Sequence, residues 1–251
     1  MKSAAIIGAS AGLGRYLAER LANDGWAVFG IGRRPLDPSG VRFEYQQLDL
    51  SSLSDLEVLR GRLDALEPEL VVCSAVVYGA EARAAGGEAE IDDLERLFRI
   101  NALAPYNLML HYLGNDTEAK HRSCVMVNVD SIYHASRQTG VYAASKAALR
   151  VLTTALAHNC KSRNASVSTL LLGPLADEKK LNEFRAIAVR KGLSEQDVIH
   201  VFLERPNPAF VMDTLIDLEP CYRSIMHMAS IGRTGNGMMC RIDGGLAGSL
   251  I

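Results

Sequence analysis

Short apolar runs alternate with amphipathic stretches along the whole of this 251-residue chain. The apolar runs are nearly continuous, which is typical of strands buried on both faces of a parallel sheet. The stretches between them repeat apolar residues at spacings of three and four, which predicts helices. Strands are predicted at residues 4–7, 27–31, 43–48, 70–75, 124–129, 166–172 and 237–242. Helices are predicted at residues 13–24, 53–66, 92–113, 142–160, 178–191 and 210–229.

This order of elements predicts a doubly wound α/β fold, a Rossmann-like parallel sheet of about seven strands with helices on both faces. No repeat, low-complexity segment or linker divides the chain, so we expect one domain over residues 1–251. Its cofactor-binding portion is expected over about 1–130, a catalytic helix over about 142–160 and a substrate lid over about 175–210. A loop rich in Gly, Ala and Glu is expected over 78–90.

Composition and charge exclude some partners. With a net charge of −2, the chain has no basic field that would favour nucleic acid or an acidic membrane surface. No apolar run reaches about 18 residues, and the first one, at 4–7, is too short for a signal peptide. The five cysteines are scattered without a CxxC pair, so neither a disulfide framework nor a metal site is predicted. We therefore expect a cytoplasmic protein with reduced thiols.

A glycine-rich turn follows the first predicted strand and precedes the first predicted helix. Glycines allow a tight turn with positive φ and a close approach of the backbone to a pyrophosphate. The N-terminus of the helix adds free N–H groups and a partial positive charge. We therefore predict a dinucleotide site here, although a glycine turn can also be purely structural. The predicted cofactor contacts in this turn are Gly8, Ser10, Gly12, Leu13 and Gly14.

The end of the second predicted strand bears on the choice between NAD and NADP. NAD sites place a carboxylate there for the ribose 2′-hydroxyl, whereas a 2′-phosphate needs a guanidinium. This strand carries no carboxylate at its end and is followed by Arg33 and Arg34. We predict NADP(H), bound through Arg33; solvated surface arginines are the alternative, favoured more for Arg34. After the third strand, Asp49 and Leu50 are predicted cofactor contacts, with Asp49 either capping a helix or bonding the adenine amino group.

An acid–base pair is predicted on the helix near residue 142. Tyr142 and Lys146 are four residues apart, so their side chains lie on one helical face. A free tyrosine has a pKa of about 10, and a nearby ammonium lowers that pKa. Tyr142 would then exchange a proton with a carbonyl oxygen, and Lys146 would tune it and bond the nicotinamide ribose. The spacing is common by chance and gains weight from the glycine turn in the same chain.

Together these segments resemble the short-chain dehydrogenase/reductase family, and the resemblance spans nearly the whole chain. The glycine turn matches the family's TGxxxGxG loop, Tyr142 and Lys146 its YxxxK motif, and 243–245 the DGG ending of its last strand. The resemblance implies an Asn–Ser–Tyr–Lys tetrad. Asn101 would hold a water in a proton relay, and Ser131 would hydrogen-bond the substrate oxygen. Taken singly, a helix-surface amide and a strand-end cap are the alternatives for these two residues.

Four departures from the family pattern are present. Ile7 replaces the leading Thr of the loop, and the usual Asn-Asn-Ala-Gly after the fourth strand reads Cys-Ser-Ala-Val at 73–76. The interval from the tetrad serine to the tyrosine is two residues shorter than usual. After the sixth strand the usual Pro-Gly is reversed and its following Thr is missing. The cofactor contacts still predicted in these segments are Ser74, Ala75, Gly173 and Leu175.

The motifs and the resemblance predict an NADP(H)-dependent oxidoreductase that interconverts a ketone and a secondary alcohol, acting on a small molecule as a homotetramer or homodimer. The alternatives are an isomerase, dehydratase or imine reductase on the same scaffold, or a non-catalytic cofactor-binding protein. The basic segment 177–208 is either a solvated amphipathic helix or a surface that recognises an acidic substrate or the phosphopantetheine of a carrier protein. Tyr133, His134 and Arg137 are further candidates for the pocket, and the apolar tail 246–251 for a subunit interface.

Overall fold

The apolar runs form the strands of one parallel sheet in the structure, a computed structural model that describes residues 1–78, 91–114, 120–133, 139–204 and 211–245. The seven strands have the order β3-β2-β1-β4-β5-β6-β7, and every neighbouring pair is parallel. The predicted doubly wound α/β sheet is therefore confirmed. The strands are β1 (Ser3–Ile7), β2 (Ala27–Gly32), β3 (Glu44–Gln47), β4 (Leu70–Cys73), β5 (Arg122–Val129), β6 (Ala165–Leu172) and β7 (Met239–Ile242).

Helices cover both faces of the sheet. One apolar layer packs α2, α4 and α5 on one face, and a second packs α1 and α8 on the other. A third, smaller apolar cluster joins α6 to α7. Within the described ranges no helix is both long and apolar enough to cross a membrane. The helices are α1 (Gly12–Asn23), α2 (Leu53–Leu66), α3 (Ile91–Phe98), α4 (Ala104–Gly114), α5 (Gly140–Asn159), α6 (Glu178–Lys191), α7 (Glu195–Glu204) and α8 (Leu218–Ser230).

The strand order reverses between β1 and β4, and this reversal positions the candidate site. From β1 the chain continues to β2 and β3 on one side, whereas β4 to β7 continue on the other. In such sheets a crevice opens beyond the carboxyl ends of the two central strands. Gly8 directly follows β1 and Ser74 directly follows β4, and the N–H of Ser74 donates to Ile7 O over 2.8 Å. The glycine turn and the segment after β4 therefore meet at this crevice.

One predicted helix, at 92–113, is interrupted in the structure. A π-helical turn, Arg99–Leu103, separates α3 from α4. Such a turn inserts an extra residue into the helix and is frequently found at functional sites. It places Asn101 fully inside the protein. The chain is thus helical over the predicted range, but the π turn within it was not predicted, because the apolar spacing continues through the insertion.

One prediction after the sixth strand was wrong, and one helix there was not predicted. The predicted helix 210–229 begins only with α8, because the segment before it pairs with the exit of β6. There Ile216 N donates to Pro174 O over 2.9 Å, and Ala176 N donates to Ile216 O over 2.8 Å. Helix α7 was not predicted, although Ser194 and Asp197 cap its N-terminus reciprocally. The ends of β3, β4 and β7 are one or two residues shorter than predicted.

Candidate active site

The glycine turn is packed so closely against the end of β4 that side chains would not fit. Gly8 has φ of +106°, and a Cβ built on it would lie 2.5 Å from the backbone N of Ala75. A Cβ on Gly14 would overlap the carbonyl oxygen of Gly8 and lie 2.5 Å from Ser74 Oγ. Ser74 Oγ in turn donates to Ile7 O over 3.2 Å. Ser74 therefore ties the segment after β4 to the end of β1, directly before the glycine turn.

The N-terminus of α1 is open to an anion. Its N-cap residue, Ala11, provides no side-chain hydrogen bond, and no acidic residue lies in its first turn. By contrast, α2 is capped by Ser52 and α6 by Asp177. The first N–H groups of a helix and its partial positive charge attract phosphate. Together with the glycine cradle beside Ala75, this arrangement fits the pyrophosphate of a dinucleotide.

The turn after β2 is held by side chains from β3. The hydroxyl of Tyr45 donates to the carbonyls of Gly32 (2.9 Å) and Arg34, and Gln47 Nε2 donates to the carbonyl of Arg33 over 3.0 Å. The side chain of Arg33 is half-buried, whereas that of Arg34 is exposed. The structure thus fixes the backbone from which Arg33 projects.

Asp49 lies close enough to Arg33 for their charges to interact. Burial opposes ionisation of Asp49, but two hydrogen bonds from Ser51 and the charges of Arg96 and Arg33 outweigh it and hold its pKa below the usual value. Asp49 is not the cap of α2, since that position is taken by Ser52, so this alternative was wrong. The neighbouring Leu50 packs in the core.

The predicted acid–base pair is buried on one face of α5. Tyr142 is 8 % exposed and Lys146 is 3 % exposed, and Lys146 Nζ donates to the carbonyl of Val127 over 2.8 Å. Burial lowers the pKa of Lys146 to about 8. Burial, followed by the charges of Tyr78 and Asp130, raises the pKa of Tyr142 well above its usual value. The sequence predicted a lowered tyrosine pKa; the structure differs because the ammonium bonds a backbone carbonyl and burial dominates.

Asn128 was missed as a residue that positions this pair. It is fully buried; its Nδ2 donates to the carbonyl of Lys146 over 3.0 Å, and its Oδ1 accepts from Val129 N over 2.9 Å. The side chain therefore ties α5 to β5 at the position of the ammonium. The sequence signal was a lone amide inside an apolar strand, because a buried amide needs partners.

Asn101 connects the segment after β4 with α5. Its Oδ1 accepts from Val77 N over 2.9 Å, and its Nδ2 donates to Val77 O over 2.9 Å and to Ser145 Oγ over 3.0 Å. Ser145 Oγ donates in turn to the carbonyl of Tyr142 over 2.7 Å. The alternative of a helix-surface amide is therefore wrong. All three polar contacts hold backbone or side chains around the tyrosine.

Ser131 lies in a short 3-10 turn directly after β5. Its hydroxyl is buried and has no hydrogen-bond partner within the described ranges. A buried hydroxyl without a partner costs about 1–3 kcal/mol, which a ligand oxygen would offset. Two residues on, the guanidinium groups of Arg150 and Arg241 lie 5.2 Å and 5.4 Å from the centroid of the Tyr133 ring. The other two pocket candidates, at 134 and 137, fall outside the described residues, as does the tail 246–251.

The exit of β6 returns to the glycine turn. A Cβ on Gly173 would lie 2.9 Å from the carbonyl oxygen of Asp243, so the reversed Gly-Pro order keeps glycine where the backbones touch. Leu175 follows and pairs with the segment before α8. Asp177 then caps α6, and its Oδ2 would be 3.8 Å from a Cβ on Gly12. The start of α6 therefore lies beside the start of α1.

The part of the chain that the structure describes contains no group of three or more His, Cys, Asp or Glu side chains placed to hold a metal ion. The four residues predicted as a catalytic tetrad supply an amide, two hydroxyls and an ammonium, from Asn101, Ser131, Tyr142 and Lys146. Asn101 lies in the π turn, Ser131 lies in the turn after β5, and the other two lie on α5. The turn after β5 is at the carboxyl end of the parallel strands, as is the glycine turn after β1.

Comparison with known proteins assigns the chain to one family. Residues 2–185 match the family model described as short chain dehydrogenase. An uncharacterized oxidoreductase of Bacillus subtilis (strain 168), YvaG, is 23% identical over 257 residues, covering 99% of this chain and 97% of the relative. Benzil reductase ((S)-benzoin forming) of the same organism is 24% identical over 230 residues, covering 85% of this chain and 91% of the relative.

Solved structures share the fold. A variant of actinorhodin polyketide ketoreductase with NADPH superimposes with a TM-score of 0.78 at 17% identity, covering 98% of this chain and 97% of that one. The 4-hydroxyisoleucine dehydrogenase complexed with NADH gives a TM-score of 0.78 at 18% identity, covering 98% of both chains. The fold is thus found with either dinucleotide.

Proposed function

Because this chain belongs to the short-chain dehydrogenase family, we propose that it is an NADP(H)-dependent reductase that interconverts a ketone and a secondary alcohol. The observation that carries this proposal is the burial of Tyr142 and Lys146 side by side on α5. Within the described residues no carboxylate pairs with Lys146, so its charge destabilises the fold instead of supporting it. Perturbed, buried ionisable groups of this kind mark catalytic sites.

The glycine turn and α1 would hold the cofactor. Gly8, Gly12 and Gly14 bring the backbone to the pyrophosphate, and the open N-terminus of α1 supplies donors. Arg33 would bind the 2′-phosphate, since its guanidinium stands where NAD sites carry a carboxylate. The segments after β4 and β6, with Ser74 and Gly173, border the same crevice. When bound, NADP(H) supplies the hydride or accepts it.

The side chains of the crevice would control the proton. With its pKa raised, Tyr142 keeps its proton near neutral pH, which suits donation to a carbonyl oxygen during reduction. The unpartnered hydroxyl of Ser131 would donate to that oxygen and stabilise its developing negative charge. Lys146 would stabilise the phenolate that remains after donation. Asn101 keeps Tyr142 in place through Ser145.

Substitution of Tyr142 by Phe tests the proposal. It removes the phenol oxygen and keeps the ring, so we expect reduction of ketones, benzil among them, to fall by about 10²-fold or more while NADPH affinity is unchanged. Tyr106→Phe, on α4 and outside the site, is the matched control. Turnover would be followed by NADPH absorbance and binding by NADPH fluorescence. Undiminished turnover in Tyr142→Phe contradicts the mechanism; binding without turnover in the wild type favours a non-catalytic protein.

Substitution of Arg33 by Ala tests the cofactor. Loss of a charge-assisted fork to a phosphate is expected to weaken NADPH binding by about 10- to 100-fold and leave NADH binding nearly unchanged. Arg34→Ala is the control, because this neighbour is exposed. Equal affinity of the wild type for the two dinucleotides would show that Arg33 does not select between them.

A further inference from the structure

Tyr78 covers the ring of Tyr142. The two ring centroids are 5.1 Å apart and the planes are tilted by 37°. Tyr142 is almost wholly buried, whereas Tyr78 is 52 % exposed. Tyr78 is therefore the outer member of an aromatic pair whose inner member is the candidate proton donor.

A buried amide fixes the position of Tyr78. The preceding residue, Val77, exchanges both of its backbone hydrogen bonds with the side chain of Asn101. The same amide reaches Tyr142 through Ser145 Oγ. The backbone beside Tyr78 and the backbone of Tyr142 are thus both tied to one buried side chain, which supports the contact between the two rings.

Tyr78 lies within electrostatic reach of carboxylates at the start of α6. The surrounding protein raises the pKa of its phenol, and the charges of Asp177 and Glu183 raise it further. Asp177 caps α6 and Glu183 lies within that helix. Tyr78 therefore contacts Tyr142 with one part of its ring and leaves the rest exposed, so a substrate approaching the tyrosine past it meets an aromatic ring.

We propose that Tyr78 is a specificity-determining residue whose ring forms one wall of the substrate site and selects carbonyl compounds that carry a flat, aromatic group beside the carbonyl. This inference rests on the proposed function. Aromatic rings prefer offset or tilted contacts with one another, and such contacts contribute more favourable free energy than the burial of their apolar area alone. A saturated group of the same size would pack on Tyr78 without that preference.

A matched pair of ketones and two variants test this role. Acetophenone and cyclohexyl methyl ketone share the carbonyl and differ in the flatness of one ring. We expect wild type and Tyr78→Phe to favour acetophenone, and Tyr78→Leu to lose about tenfold in the ratio of the two kcat/KM values, mainly through KM. An unchanged ratio in Tyr78→Leu, or an equal loss in Tyr78→Phe, overturns the proposal. Because the measure is a ratio within one variant, a change in the folded fraction cancels.

A binding measurement separates this proposal from the proposed reaction. Acetophenone is titrated by calorimetry into each variant with and without NADP⁺, where no reduction occurs. About tenfold weaker binding to Tyr78→Leu, and to Tyr78→Met as a second non-aromatic variant, supports the aromatic wall even if no ketone is turned over. Equal or undetectable binding in all variants overturns it, even if ketones are reduced.

Discussion

Lys146 is an ammonium held inside the protein at the cost of stability. It is 3 % exposed, and its hydrogen-bond partner is the neutral carbonyl of Val127. Burial therefore lowers its pKa to about 8 from 10.5. A hydrophobic residue would satisfy this position with less penalty, so the side chain is explained by chemistry at Tyr142 better than by packing.

The lowered pKa predicts how stability depends on pH. Below about pH 8 the lysine is protonated in both states and its penalty is constant; between about 8 and 10.5 the unfolded chain binds a proton that the folded chain does not. The free energy of unfolding should therefore rise with pH in this window. We expect the free energy of unfolding of wild type, measured relative to that of Lys146→Met, to rise by about 3 kcal/mol from pH 7.5 to 10.5, so that any stability advantage of the variant shrinks over this window.

Urea unfolding at a series of pH values measures this difference. Tyrosine and cysteine side chains of the unfolded chain also titrate in this range, but they are present in both proteins, so their contributions cancel in the difference. Loss of the hydrogen bond to the carbonyl of Val127 shifts the free energy of unfolding of the variant by the same amount at every pH, so it does not change the dependence on pH. A difference that stays flat across the window would mean that Lys146 is not a perturbed group.

At the scale of elements, the sequence predicted what depends on local pattern and missed what depends on distant partners. Buried parallel strands are continuous apolar runs, so all seven were found. The π turn was missed because the clamp of Asn101 on Val77 joins residues 24 apart in sequence. The segment before α8 was misassigned because its partner, the exit of β6, is some 40 residues away. For the site, residue types were predictable, whereas the contact between Tyr78 and Tyr142 was not.

The cap of α6 is expected to oppose cofactor binding. Asp177 Oδ1 accepts from Lys180 N over 2.9 Å, while Oδ2 faces Gly12 at the start of α1. A carboxylate beside the proposed pyrophosphate site repels the negatively charged pyrophosphate of the cofactor. Asn caps a helix as well as Asp does, so Asp177→Asn keeps the cap and removes the charge. We expect dinucleotides to bind about fivefold more tightly to this variant, corresponding to about 1 kcal/mol at low salt.

Fluorescence titration with NADPH at low and high salt checks this prediction, since the gain should shrink as salt screens the charge. Asp197→Asn is the matched control, because Asp197 belongs to the cap of α7 and bonds Ser194. Weaker binding to Asp177→Asn would show instead that the carboxylate accepts a hydrogen bond from the cofactor.

At the scale of the whole molecule, the apolar interior is divided unequally. Two large clusters lie on the two faces of the sheet, whereas α6 and α7 pack on each other through a cluster of their own. The rings of Phe184 and Phe202, with centroids 4.9 Å apart, lie within it. Elements joined to the core by few apolar contacts open locally at lower free energy than the sheet. We therefore expect α6 and α7 to open as one unit.

Phe184→Ala tests this division, because Phe184 is 3 % exposed in the small cluster. The cavity left by a buried Phe costs about 3–5 kcal/mol, which should lower the local opening free energy of α6 and α7. Hydrogen exchange should then accelerate in these helices and remain slow in β1 and in β4 to β6. Val189→Ala, at an 86 % exposed position of α6, should leave hydrogen exchange unchanged both in these helices and in the strands.

The same division predicts how Phe184→Ala affects function. Because the glycine turn packs against the sheet and not within the small cluster, the affinity of Phe184→Ala for NADPH should change little, while its KM for a ketone should rise. Faster exchange throughout the sheet would show that the α6–α7 unit and the sheet unfold together, and α6 could then not move independently of the crevice it borders.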